Sequence, residues 1–94
     1  MSERTLHLKL KGRVQGVGFR WYAADEARRL DLAGWVKNSS DGSVELCARG
    51  AADAIADFEK LVVKGPSGAQ VSTVDRIEGT PAGQLKRPFS IVRE

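Results

Sequence analysis

Between Gly12 and Arg20 the chain reads Gly12-Arg13-Val14-Gln15-Gly16-Val17-Gly18-Phe19-Arg20, with three glycines in the first seven positions. Apolar residues at helical spacing begin at Phe19, so this loop runs straight into a helix N-terminus. The first N–H groups of a helix have no partner inside it, and the positive end of the helix dipole lies there, which makes such a junction a ready anion site. Gly16 and Gly18 can take positive φ, so consecutive N–H groups can converge as a nest. Arg20 adds a permanent charge and a planar fork of donors suited to a phosphoryl group. The same residues also fit a plain glycine-rich turn with a surface arginine at a helix start. Two familiar phosphate motifs are excluded. There is no Gly-Lys-Ser/Thr triplet, and Trp21 stands where Gly-x-Gly-x-x-Gly needs its third glycine.

The flanking elements decide what this loop can meet. Thr5 to Lys11 alternates strictly, with Leu6, Leu8 and Leu10 on one face, which predicts a half-buried strand. Phe19, Ala23, Ala27 and Leu30 mark an amphipathic helix ending near Leu30. Gly34 to Asn38 is a short strand, Ser39-Ser40-Asp41-Gly42 a tight turn, and Ser43 to Arg49 the returning strand. A second helix buries Ile55, Phe58, Leu61 and Val62 and is stopped by Gly65-Pro66. Val71 to Glu78 reads as a strand, and Pro88 to Arg93 as a short last one with Phe89 and Ile91 on one face. The predicted class is α+β: β-α-β-β-α-β plus a short last strand, a ferredoxin-like α/β sandwich with two helices on one face of a mostly antiparallel sheet.

Topology then brings Asn38 into play. The first helix descends about 15 Å and the strand from Gly34 climbs about 13 Å, so Asn38 returns to the edge where residues 12–20 sit. One strand intervenes in a split β-α-β unit, leaving a gap of roughly 10 Å, enough for a phosphate and a water. Taken alone, Asn38 equally fits a strand-end asparagine feeding the turn after it.

Composition narrows the setting. Ninety-four residues make one small domain, spanning 1–94, and the 41% hydrophobic content supplies a single thin core. No apolar run approaches the ~20 residues of a membrane span, and the first residues lack the apolar stretch of a signal peptide. One cysteine, Cys47, and one histidine, His7, exclude an internal disulfide and a Cys/His metal cluster. The expectation is a cytoplasmic, metal-free protein without cofactor. Residues 1–20 carry Arg4, Lys9, Lys11, Arg13 and Arg20 against Glu3 alone, so the net charge of +3 is concentrated where an anionic partner would bind, or on a solvated basic strand.

The motif Gly12–Arg20, followed by Gly34-Trp35-Val36-Lys37-Asn38 and Asp41-Gly42-Ser43-Val44-Glu45, resembles the acylphosphatase family. The resemblance continues through Gly50 and Lys64–Val71 to Phe89-Ser90-Ile91, and so covers essentially the whole chain. It implies hydrolysis of small acyl phosphates to carboxylate and inorganic phosphate by a monomer. By position, it makes Arg20 and the amides of Gln15, Gly16, Val17, Gly18 and Phe19 the phosphate-binding loop, and Asn38 the holder of the attacking water. Two departures from the family pattern stand out: Gly18 where many members have Phe, and Asp31 where Gly is usual after the first helix.

Two other readings are weighed against it. A phosphate-holding accessory domain of the same type would keep the fold without turnover. A nucleic-acid module would stack bases on aromatics of the two central strands, yet Thr5–Lys11 and Ser43–Arg49 contain none. Elsewhere, His7 is expected opposite the leucines and half-covered. Cys47 is expected to be a semi-buried hydrophobe without a histidine nearby, and Trp35 to lie in the core. Trp21 and Tyr22, beside the loop, either pack or shape the acyl side of the site.

Overall fold

The computed structural model describes residues 2–80 and 82–93. Along the chain lie β1 (Glu3–Arg13), α1 (Phe19–Arg29), β2 (Ala33–Asn38), β3 (Val44–Ala51), α2 (Ala52–Lys64), β4 (Gln70–Arg76) and β5 (Ser90–Val92), with a 3₁₀ turn at Ala82–Gln84 before the last strand. The strands form one sheet in the order β4-β1-β3-β2-β5, antiparallel throughout except for the parallel β2–β5 pair. This is the expected ferredoxin-like α+β sandwich.

The period-two pattern of β1 decides which face is covered. Leu6, Leu8 and Leu10 are buried against the helices, alongside Val36, Val44 and Leu46 from the neighbouring strands. From α1 come Phe19, Ala23 and Ala27; from α2 come Ile55, Phe58 and Val62. Small alanines on α1 let that helix lie close to the sheet, while Phe58 meets Phe89 edge-on, with centroids 5.8 Å apart. Leu61, expected on the buried stripe of α2, is half-buried.

β1 and β2 run parallel with β3 between them, and the registers make that arrangement specific. Val44 of β3 pairs with Leu10 on one side and with Asn38 on the other. Asn38 therefore stands on the same rung as Leu10, two strands across, at the edge where β1 runs on toward the glycine loop. Near that edge β1 carries a bulge at Lys11/Gly12. Gly12 has φ 124, and a Cβ there would collide with the Gln70 carbonyl oxygen, so only glycine fits.

The opposite face of the sheet departs from expectation. Trp35 is not in the main core. It is half-buried on the far face, against a small cluster of Ala33, Cys47 and Leu85, with the Lys37 ammonium 5.6 Å from its ring centroid. Cys47 is fully buried rather than semi-buried, and His7 is its direct partner in the β1–β3 register. A histidine does lie beside it, because the antiparallel pairing aligns two residues 40 positions apart. His7 is half-covered as expected. Its ring nitrogens are taken up by Glu45, at 2.6 Å, and by the Thr80 hydroxyl.

Candidate functional site

The loop between β1 and α1 is held by its side chains and open along its backbone. Val14 and Phe19 are buried at either end, and Val17 packs against the core between them. Gly16 and Gly18 have φ of 77 and 76, the left-handed region that glycine enters without strain. A Cβ at either would meet nothing within 4 Å, so it is the backbone conformation that calls for glycine there, not lack of space. Gly18 is the N-cap of α1 and offers no side-chain bond to the first turn, which among the described residues contains no acidic side chain. The positive end of the helix is thus neither capped nor neutralised from within that turn.

Across the sheet, Asn38 ends β2 and opens a turn that several bonds make rigid. Ser39 donates its N–H to the Ser43 carbonyl at 2.8 Å, and Gly42 donates to the Ser39 carbonyl at 3.1 Å. The Asp41 carboxylate accepts the Ser43 N–H at 3.0 Å and the Ser43 hydroxyl at 2.6 Å. Lys9 reaches over from β1 to the other Asp41 oxygen at 3.0 Å. The Ser43 hydroxyl and then the Lys9 ammonium hold the Asp41 carboxyl well below the usual carboxylate range, while Asp41 raises Lys9.

Gln15 joins the two halves. Its side-chain amide donates to the Ser39 carbonyl at 2.8 Å and to the Ser43 carbonyl at 2.9 Å, so loop and turn are fixed to one another. Sequence reading placed Gln15 in the loop but did not find this link, since its acceptors are backbone carbonyls that carry no residue signature.

Between loop and turn lies a cleft of about 220 Å³. Val14, Gly16, Gly18, Phe19, Arg20 and Trp21 line it on one side and Asn38 on the other. Of the residues singled out from sequence, Gly16, Gly18, Phe19, Arg20 and Asn38 come together here, whereas Gln15 and Val17 do not line the cleft and instead anchor its walls. None of the ion pairs among the described residues uses Arg20, so no described carboxylate is paired with its guanidinium. A slightly larger hollow, about 260 Å³, lies at the far end of α1 and contains Arg28 and Arg87. There both guanidinium groups are already engaged, Arg28 with the Phe89 carbonyl at 2.8 Å and Arg87 with Asp31.

Comparison with known proteins shows the family and the fold. The family model described as Acylphosphatase matches residues 6–91. The chain is 50% identical to the acylphosphatase of Salinibacter ruber, over 98% of this chain and 96% of that one. It is 47% identical to the acylphosphatase of Nitrobacter hamburgensis, over 94% and 90% of the two chains. The crystal structure of acylphosphatase from Bacillus subtilis superposes with a TM-score of 0.86 at 39% identity, covering 95% of this chain and 98% of that one.

Proposed function

The chain belongs to the acylphosphatase family and hydrolyses acyl phosphates to carboxylate and inorganic phosphate; we propose that Arg20 and the 15–20 loop amides grip the phosphoryl group while Asn38 steers the attacking water. One observation carries this assignment: Arg20 and Asn38, on different elements, line a single cleft.

The chemistry explains why so few groups suffice. The leaving group is a carboxylate, whose conjugate acid has a pKa near that of a Glu side chain, so it departs without a proton. What remains is to place water in line and to hold the charge on the phosphoryl oxygens. The Arg20 fork and the loop N–H groups meet those oxygens, with each charge-assisted bond contributing roughly 1.5–3 kcal/mol. The Asn38 amide is neutral and cannot serve as a base. It orients the water, and a phosphoryl oxygen of the substrate takes the water's proton. The new P–O bond forms as the bond to the acyl oxygen breaks, and the carboxylate leaves with the electron pair.

In this reading the whole chain works as one unit, a cytoplasmic monomer that needs neither metal nor nucleic acid. No helix among the described residues is long and apolar enough to cross a membrane. The central strands carry no Phe, Tyr or Trp on which a base could stack, and the His7 ring is half-covered and held by Glu45 and Thr80. The test is phosphate release from benzoyl phosphate, with and without a chelator, by wild type, Arg20→Lys and Asn38→Ala. Lysine keeps the charge and loses the fork, so both variants are expected to fall by a hundredfold or more, on the order of one oxyanion-type donor lost. Undiminished turnover in either overturns its assignment, and chelator sensitivity overturns the metal-free mechanism.

A further inference from the structure

In-line displacement sets the attacking water and the departing acyl oxygen on opposite sides of phosphorus. With the water on Asn38, the acyl group points away from β2, toward the wall made by the loop and the first turn of α1. That wall offers few side chains. Val14 and Phe19 are 1% and 2% exposed and spent on the core, Gly16 and Gly18 have no side chain, and the Arg20 fork faces the phosphoryl oxygens in the reading above. Trp21 remains. It lines the cleft and is 56% exposed, the most exposed large apolar residue among those described.

An indole left largely in water forgoes much of its burial gain, and neither apolar cluster among the described residues recovers it. Among the described residues Trp21 belongs to neither apolar cluster and to no aromatic pair. Its neighbour Tyr22, by contrast, is half-buried, packs edge-on to Phe19 and donates its hydroxyl to the Leu61 carbonyl at 3.0 Å. Tyr22 braces α1 against α2; Trp21 faces solvent at the mouth of the cleft.

We propose that Trp21 is the acyl-side specificity residue, an apolar platform that favours aromatic or large apolar acyl phosphates over small ones. The proposal rests on the assignment of Arg20 and Asn38 given above. The test compares kcat/KM for benzoyl phosphate and acetyl phosphate in wild type, Trp21→Ala and Trp21→Phe. Dividing each variant's benzoyl-to-acetyl ratio by that of wild type removes the intrinsic difference in reactivity between the two substrates. Trp21→Ala is expected to lower this ratio about fivefold to tenfold, the size of one lost aromatic contact with its buried area, and the loss should lie in KM for benzoyl phosphate. Trp21→Phe should restore most of it. An unchanged ratio, or equal losses on both substrates, overturns the proposal. Arg20→Lys serves as the separate control. If it abolishes turnover of both substrates and inhibition by inorganic phosphate while Trp21→Ala leaves the ratio unmoved, only the acyl platform has failed. If Arg20→Lys leaves all of these intact, the underlying assignment has failed as well.

Discussion

The side-chain amide nitrogen of Gln15 lies 2.8 Å from the carbonyl oxygen of Ser39, and the same nitrogen donates to Ser43 at 2.9 Å. One side chain thereby links the loop that carries Arg20 to the turn that begins at Asn38. The two sides of the cleft sit on separate strands with β3 between them, so their spacing depends on such a strut.

Removing the strut should therefore cost chemistry more than binding. Gln15→Leu deletes both bonds and leaves two carbonyls without their donor, a stability loss of about 1–3 kcal/mol. Displacing Asn38 by a fraction of an ångström misaims the water, and kcat is expected to fall on the order of tenfold to a hundredfold. Inhibition by inorganic phosphate should weaken far less, because Arg20 and the loop amides remain in place. Steady-state kinetics with phosphate as competitive inhibitor check this split. A loss confined to KM, with kcat intact, would count against it.

The turn itself is pH-sensitive with a sign that can be worked out. Asp41 has its carboxyl held low in the folded state by Ser43 and Lys9, so its ionised form is favoured there relative to the unfolded chain. Its stabilising contribution is complete above the unfolded value near 3.8 and is lost as pH falls through the lower folded value. Lys9 behaves in the opposite sense: raised by Asp41 from its ordinary 10.5, it contributes below that value and ceases to do so as pH climbs through the folded one. The turn is thus fully supported from about pH 5 to pH 9. Asp41→Asn should lower Tm relative to wild type at pH 7, and thermal melts should show the difference narrowing below pH 4. A difference that stays constant down to pH 2 would mean that the ionised carboxylate, with its bonds from Ser43 and Lys9, does not carry the effect.

Much of this arrangement could be read from residue order because the signals are local. The alternation of Leu6, Leu8 and Leu10 sets the buried face, Gly16 and Gly18 mark the backbone bend, and matched element lengths bring Asn38 back to the edge of the loop. The far face was less legible. Trp35 looks like a core residue by its type, yet the pleat turns it away from the helices, and Leu85, fifty positions later, supplies its cover. The pairing of His7 with Cys47 depends on the β1–β3 register, which no short-range pattern fixes. Buried there, the Cys47 thiol is pushed up to about 11, which suits a packing role rather than a nucleophilic one. The strut from Gln15 was invisible for a related reason, since any residue at 39 or 43 would present the same carbonyl.

Asp31 offers the last prediction, because here the chain departs from the residue its backbone prefers. After α1, Asp31 donates its N–H to the Arg28 carbonyl at 3.1 Å and Leu32 donates to the Ala27 carbonyl at 2.9 Å. These are the two bonds of a Schellman cap, in which the residue after the helix must be left-handed, and Asp31 has φ 58. An L-residue there costs on the order of 1–2 kcal/mol, less for Asp than for most. Glycine removes that strain, gives back about 0.5–1 kcal/mol through the greater freedom of the unfolded chain, and forfeits an exposed pair with Arg87 of small worth. Asp31→Gly should therefore stabilise the protein by about 0.5 kcal/mol, a rise in Tm of roughly 2–4 °C for a chain of this size. Asp31→Ala should lower Tm, because it keeps the Cβ and loses the polar side chain that tolerates this conformation. The opposite signs are the test, read by thermal or denaturant unfolding; if both variants move the same way, backbone strain is not the controlling term. Turnover should be unaffected by either, since α1, about 16 Å long, separates Asp31 from the cleft.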